Sequence, residues 1–250
     1  MPEQLTTAQA MRYSRQILLS GFDLDKQEML CSSKAMIIGV GGLGCAASQY
    51  LVASGIGSLT LVDDDKVETT NLQRQVLHHE SALGDLKVNS AASALRNLNA
   101  GVNLTTLNER QSASQLYNLV PEHDIVLDCS DNLATRNLLN TVCYATATPL
   151  VSGAAIRMEG QVFCVVPTKK SACYACISHL FGEQQLSCME SGVMSPLVGI
   201  IGSMQALEAI KLMTDYGEPT INTLQLFDAK TSNWQRFNVK KHPKCEVCSG

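Results

Sequence analysis

Apolar and polar positions alternate in one rhythm up to Pro149 and in another after it. From Thr6 to Cys31, apolar side chains interleave with charges, which predicts one or two helices. Lys34 to Gly39 is a short apolar run and reads as the first strand. The helix that follows runs to about Ser54, and Ser58 to Val62 is the second strand. A polar loop extends to His79. The pattern L-x-x-L-x-x-V-x-x-A then predicts a helix from about Gly84 to Leu98. Asn103 to Leu107 is a strand and Ala113 to Leu119 a short helix. Asp124 to Cys129 (D-I-V-L-D-C) is an apolar strand, followed by a helix from Asn132 to about Thr146. Strands alternating with helices imply a parallel sheet. After Pro149, L-V-S-G-A-A-I and Q-V-F-C-V-V lie close together with no helix between them, which implies antiparallel strands. Gly192 to Met213 is a long apolar helix whose only charges are Glu208 and Lys211. Such a helix suits a dimer interface or the underside of the sheet. Leu224 to Asp228 and Trp234 to Val239 form a closing hairpin.

The turn after the first strand holds Gly39, Gly41 and Gly44 in G-x-G-x-x-G spacing, with Gly42 as an extra glycine. Such a turn brings backbone N–H groups close to phosphate at a helix N-terminus. Asp63 ends the second strand, where a carboxylate can accept hydrogen bonds from ribose hydroxyls. The fold class is therefore α/β, a Rossmann-like half with parallel strands followed by an antiparallel half in one continuous mixed sheet. On its own the turn fits a NAD-dependent oxidoreductase equally well. That activity needs a catalytic His, Tyr or Lys facing a substrate pocket, and the chain offers no convincing candidate. The run T-N-L-Q-R (Thr70, Asn71, Leu72, Gln73, Arg74) and the later L-G-D-L-K ending in Lys87 point instead to a triphosphate. Arg74 and Lys87 supply fixed positive charge and Asn71 a neutral donor. Asp131 and Asn132 follow an apolar strand directly. In an open parallel sheet, ligands sit beyond the carboxyl ends of strands. A carboxylate there beside polyphosphate suits Mg2+. Asn132 also suits a helix N-cap, so Asp131 can be the ligand while Asn132 starts the helix.

A net charge of −4 over 250 residues, with no basic cluster larger than Lys240 and Lys241, argues against nucleic acid as a partner. The uncharged stretch from Ala35 to Val62 is long enough to suggest a membrane span. Its glycines, serines and Gln49 make a buried strand–turn–helix–strand unit the better reading. The N-terminus has no basic region leading into an apolar one, so a cytoplasmic protein is expected. Ten cysteines are present. Cys31, Cys45, Cys129, Cys143 and Cys164 read as structural. Cys173 with Cys176 and Cys245 with Cys248 form two C-x-x-C pairs, which together suit tetrahedral Zn2+ in a closed, structural site. A redox C-x-x-C is the alternative. Cys188, in L-S-C-M-E-S-G-V, is a possible nucleophile for a thioester or persulfide.

In order along the chain, R-Y-S-R-Q-I-L-L, G-x-G-G-L-G, the D-D-D strand end, N-L-Q-R-Q, S-D-N, the C-x-x-C pairs and S-G-V-M-S-P-L-V-G-I-I-G resemble the ThiF/MoeB family. These are bacterial relatives of ubiquitin-activating enzymes. G-A-A-I-R-M-E-G-Q, S-H-L-F-G-E and C-M-E-S-G-V-M-S-P are most similar to its molybdopterin-synthase branch. R-Y-S-R-Q-I-L-L and L-F-D-A-K-T-S-N-W also resemble its thiamine branch. The resemblance implies one adenylation domain over 1–250, with N-terminal helices (1–33), a nucleotide-binding half (34–148) and a carrier-binding half with the zinc site (149–250). It implies ATP-dependent adenylation of the C-terminal Gly-Gly carboxylate of a small ubiquitin-like sulfur carrier, from the molybdopterin pathway or, alternatively, the thiamine pathway. Asp63 would hold the ribose, Arg74 and Lys87 the phosphates, and Asp131 the Mg2+. Residues Thr70 to Gln73 and Asn132 would complete the nucleotide site. Arg15 would reach the phosphates from the partner subunit of a homodimer. An inactive, purely binding homologue is a further alternative, against which Asp63, Arg74, Lys87 and Asp131 together speak.

Overall fold

Three helices precede the first strand, one more than the sequence pattern allows. They are α1 (Thr7–Arg12), α2 (Ser14–Ile17) and α3 (Asp23–Ser32). The Thr6 hydroxyl accepts from the Gln9 N–H, and the Gln9 side chain accepts from the Thr6 N–H, so a capping box starts α1. Tyr13 breaks the helical run with φ −97° and ψ 11°. The computed structural model describes residues 4–168, 171–178 and 191–249.

The alternating half follows the predicted order. It comprises β1 (Lys34–Ile38), α4 (Gly42–Ala53), β2 (Ser58–Val62), α5 (Lys87–Leu98) and β3 (Asn103–Leu107). Then come α6 (Ala113–Leu119), β4 (Ile125–Asp128) and α7 (Leu133–Ala145). The uncharged stretch from Ala35 is thus a strand, a helix and a strand. The second half holds β5 (Leu150–Ile156), β6 (Glu159–Val165), the short α8 (Ala175–Ser178), α9 (Ser195–Thr214), β7 (Thr223–Asp228) and β8 (Asn233–Asn238).

The eight strands form one sheet in the order β3-β2-β1-β4-β5-β6-β7-β8. Pairings are parallel as far as β5 and antiparallel from β5 to β8. The sequence of β1 explains its central place. Ala35 and Ile37 bury on one face, Met36 and Ile38 on the other, so the strand is apolar throughout. On the first face, Ile37, Leu59 and Leu127 pack with Leu51 of α4, Leu95 of α5 and Ile201 of α9. On the second, Met36 and Val126 pack with Leu139 of α7 and with Cys173, Cys176, Cys245 and Cys248.

Helix α9 lies lengthwise on α4 and crosses β5 and β6, so it is under the sheet. It starts at Ser195, not Gly192. Arg157 donates to the Gly192 carbonyl at 2.8 Å and accepts from the Met194 N–H at 2.9 Å, which holds this segment extended. Pro196 then opens the helix, where its missing N–H costs nothing. Its two charges pair, with Lys211 Nζ 2.7 Å from the buried Glu208 carboxylate. By length and composition α9 could cross a membrane. Here its apolar side is used against α4 and the sheet.

Candidate active site and metal centre

The strand order reverses between β1 and β4, because the chain leaves β3 at one edge and returns on the far side of β1. A crevice opens beyond the carboxyl ends of such strands. Three predicted features meet there: the glycine turn after β1, Asp63 after β2, and Ser130 to Asn132 after β4.

The turn needs its glycines for space as well as for conformation. Gly39 has φ +93°, and a Cβ there would lie 2.7 Å from the Cys129 carbonyl oxygen. A Cβ on Gly44 would lie 1.9 Å from the Gly39 carbonyl oxygen. Gly41 is the N-cap of α4 and supplies no side chain, so first-turn amides from Gly42 onward stay open to an anion. Asp63 is tied to this turn. Its Oδ2 accepts from the Val40 N–H at 2.7 Å and its Oδ1 from the Asp65 N–H at 2.9 Å. Burial raises the Asp63 carboxyl above the usual carboxylate value, partly offset by Lys87 and by these two N–H groups.

Lys87 is the first residue of α5, and its Nζ sits 2.7 Å from Asp65 Oδ2. The lysine is buried while Asp65 faces solvent. A solvated carboxylate is a partner that an incoming phosphate can replace. Arg74 is half-buried and donates from Nη1 to the Thr70 carbonyl at 3.0 Å. The buried Asn71 accepts at Oδ1 from the Glu68 N–H at 3.2 Å, so it also closes its own turn. Thr70 and Gln73 are exposed and Leu72 is half-buried. Ser195 Oγ donates to the Gln73 carbonyl, joining this loop to the start of α9.

After β4, Asn132 caps α7, accepting from the Thr135 N–H at 2.9 Å. Asp131 is exposed and makes no hydrogen bond or ion pair among the described residues. Its carboxylate is free to take a cation. Arg15 lies on α2, exposed, near the exposed Met11 and Leu18. It hydrogen-bonds to none of the crevice residues among those described.

Two groups escaped the sequence reading. His78 is buried below the turn, with Nε2 3.1 Å from the Val40 carbonyl and Nδ1 2.9 Å from Ser90 Oγ. Burial lowers its pKa. Asp128, wholly buried at the end of β4, accepts from Arg136 Nε and from Ser152 Oγ, each at 2.8 Å, and from Ser130. No local spacing marks either group. Both depend on which strand and which loop lie alongside.

The two C-x-x-C pairs come together although they are remote in sequence. The sulfurs of Cys173, Cys176, Cys245 and Cys248 all lie within 4.8 Å of one another, and all four residues are buried. Cys173 and Cys245 sulfurs are 3.6 Å apart, and Cys176 and Cys248 sulfurs 3.5 Å. A disulfide would bring them to about 2.05 Å. A tetrahedron with metal–sulfur bonds of about 2.3 Å has edges of about 3.8 Å, so the spacing fits zinc. Burial raises the Cys245 thiol, but hydrogen bonds from the Cys248 and Val247 backbone N–H groups and with the Cys248 and Cys173 thiols together outweigh it and bring the value down to about 7. The other described cysteines behave as structural residues. Cys45, Cys129, Cys143 and Cys164 are buried, and burial pushes the Cys45 thiol up to about 12. Cys188 lies outside the described residues.

Comparison with known proteins agrees with this geometry. The chain is 49% identical over 245 residues to the molybdopterin-synthase adenylyltransferase of Escherichia coli (strain K12), covering 98% of each chain. It is 41% identical over 240 residues to the sulfur carrier protein ThiS adenylyltransferase of the same organism, covering 96% of this chain and 95% of that one. A crystal structure of E. coli MccB with ATP superposes with a TM-score of 0.84 at 27% identity, over 95% of this chain and 73% of that one. The model of the ThiF family matches residues 13–247, and the chain belongs to that family.

Proposed function

We propose that this chain uses ATP to adenylate the C-terminal Gly-Gly carboxylate of a small ubiquitin-like sulfur carrier, with release of pyrophosphate. The carrier is the small subunit of molybdopterin synthase, and the product serves molybdenum cofactor biosynthesis. One observation carries the reaction: an open glycine turn, a ribose-height carboxylate, a displaceable lysine and an uncommitted carboxylate share one sheet crevice. The pathway rests on similarity, since identity falls from 49% with the molybdopterin-synthase relative to 41% with the ThiS one.

The residues divide the work. The glycine turn and the first amides of α4 receive phosphate, and Asp63 accepts from the ribose. Lys87 exchanges Asp65 for phosphate, and Arg74 adds a second cation. Asp131 would hold Mg2+, which would supply positive charge to the pyrophosphate leaving group. The carrier's terminal carboxylate, with a pKa of about 3.5, is already ionised at neutral pH, so its attack on the α-phosphorus needs no general base. The barrier is charge build-up at phosphorus, which fixed cations lower. Zn2+ on Cys173, Cys176, Cys245 and Cys248 is structural. The enzyme acts as a homodimer in which Arg15 serves the partner's site. The exposed Met11 and Leu18 beside Arg15 support that surface as an interface. It works in the cytoplasm, where thiols stay reduced as metal binding requires.

ATP–pyrophosphate exchange with each carrier tests the proposal. Exchange should require the molybdopterin-synthase subunit with its terminal Gly-Gly intact. Exchange with the thiamine carrier alone would move the enzyme to that pathway, and exchange with neither would overturn the reading.

A further inference from the structure

We infer that Arg136 is a positioning residue that ties the four-cysteine cluster to the loop carrying Asp131, with Tyr174 as its prop. The inference rests on the reading of Asp131 as the Mg2+ ligand.

Asn132, Arg136 and Asn140 recur every fourth residue on α7 and so share one face. Asn132 caps the helix beside Asp131. Arg136 is buried. Its Nε donates to Asp128 Oδ2 at 2.8 Å, and its Nη2 donates to the Ser130 and Gly153 carbonyls, both at 2.9 Å. One guanidinium therefore fixes the backbone immediately before Asp131 to the end of β4 and the middle of β5.

The other side of the guanidinium faces Tyr174, within the cysteine cluster. Its carbon lies 5.5 Å from the centre of the Tyr174 ring. Tyr174 is buried inside C-Y-A-C, between two cluster cysteines. One helical turn on, Asn140 grips the same motif. Its Oδ1 accepts from the Tyr174 N–H at 2.7 Å and its Nδ2 donates to Cys173 Sγ at 3.6 Å. Contacts thus run unbroken from Cys173 through Tyr174 and Arg136 to Ser130. The cluster takes no part in the chemistry, yet it presses a ring on the arginine that shapes the Mg2+ loop. Losing the ring should loosen residues 130–132 and weaken Mg2+ binding, while ATP binding without Mg2+ stays as it was.

The variants are Tyr174→Leu, Tyr174→Phe (which keeps the ring) and Arg136→Lys (which keeps the charge but not the fork). Two readouts apply. Amide exchange at Ser130, Asp131 and Asn132 needs no ligand. Calorimetry gives the Mg2+ midpoint for ATP binding, with a chelator control. Tyr174→Leu should speed exchange and raise the Mg2+ midpoint by roughly thirtyfold, the scale of a lost desolvated cation–π contact. Tyr174→Phe, which keeps the ring but loses the hydroxyl's interaction with Arg136, should fall between wild type and Tyr174→Leu, and Arg136→Lys should follow Tyr174→Leu. Unchanged exchange at residues 130–132 in a folded Tyr174→Leu or Arg136→Lys protein would overturn the inference. If neither variant folds, Arg136 is a folding element and the positioning role is also overturned. Wild type that binds ATP but shows no Mg2+ dependence would sink the Asp131 reading instead, leaving the exchange result to stand alone.

Discussion

Asp63 at the end of β2 holds the glycine turn after β1 directly, through a 2.7 Å hydrogen bond from the Val40 N–H. One carboxylate thus shapes the turn and, under the proposed function, would also accept from the ribose. Burial raises its carboxyl above the ordinary 3.8. A raised value means that the folded protein binds this proton more readily than the unfolded chain. The stability contributed is complete below 3.8 and is lost as pH rises through the raised value. Wild type should therefore lose stability relative to Asp63→Asn across that window. ATP affinity should run the other way, falling on acidification through the same value, because a protonated Asp63 accepts poorly. Calorimetric ATP binding against pH checks this, and a profile unchanged in Asp63→Asn would assign the titration elsewhere.

Arg74→Ala and Lys87→Ala should each cost roughly 3 kcal/mol of transition-state stabilisation, the scale of a lost oxyanion donor. Lys87→Ala also removes the cation that offsets the burial of Asp63, so some unfolding free energy should be lost, little of it from the pair with Asp65, whose side chain is 67% exposed. Carrier-dependent pyrophosphate exchange beside chemical denaturation separates the two effects. Near-normal turnover in either variant would place the phosphates elsewhere.

Asp131 and Asp128 should answer oppositely to substitution. Asp131 is exposed and pairs with none of the described residues, so Asp131→Ala should abolish adenylation and leave stability intact. Asp128→Ala strands the buried Arg136 guanidinium and should destabilise the fold by about 3–5 kcal/mol. Denaturation midpoints and pyrophosphate exchange on both variants decide the matter. An active Asp131→Ala enzyme would remove this residue from the metal site.

This pair also marks how far the sequence could be read. β2, β3 and α6 have the boundaries that their apolar patterns predict. The glycine turn, Asp63, Lys87 and the Asn132 cap announce themselves by local spacing, because their geometry is built from neighbours in the chain. Asp128 closes the apolar run of β4 and Asp131 lies just beyond it, yet no local spacing tells which of the two carboxylates is buried. Its burial follows from register, which sets Asp128 opposite Ser152 across β4 and β5. His78 is invisible to local spacing for the same reason, since its partners lie on the turn after β1 and on α5. The late start of α9 follows from a bridge to Arg157, also invisible locally.

The cysteine cluster should hold one zinc per chain, and Cys245→Ser should lower the melting temperature. Zinc binding and folding are coupled, so the lost ligand loosens the segment after β8. Elemental analysis and calorimetry check both points. Absence of zinc from freshly purified protein would favour a redox pair.

Arg15 should act across the dimer. It is exposed on α2, outside the strand–helix alternation that builds the crevice. Among the described residues it makes no hydrogen bond to the crevice of its own subunit. A partner subunit can supply it from the far side, as an arginine finger does in trans. Mixing Arg15→Ala and Asp131→Ala chains tests this. In a mixed dimer, the site with an intact Asp131 receives an intact Arg15 from the Asp131 variant. The other site lacks both. If chains exchange at random, half the dimers are mixed and each has one good site of two, so about a quarter of wild-type activity should return. Native mass spectrometry on differently tagged chains verifies the exchange. Mixed dimers no more active than the separate variants would show that Arg15 serves no site across the interface.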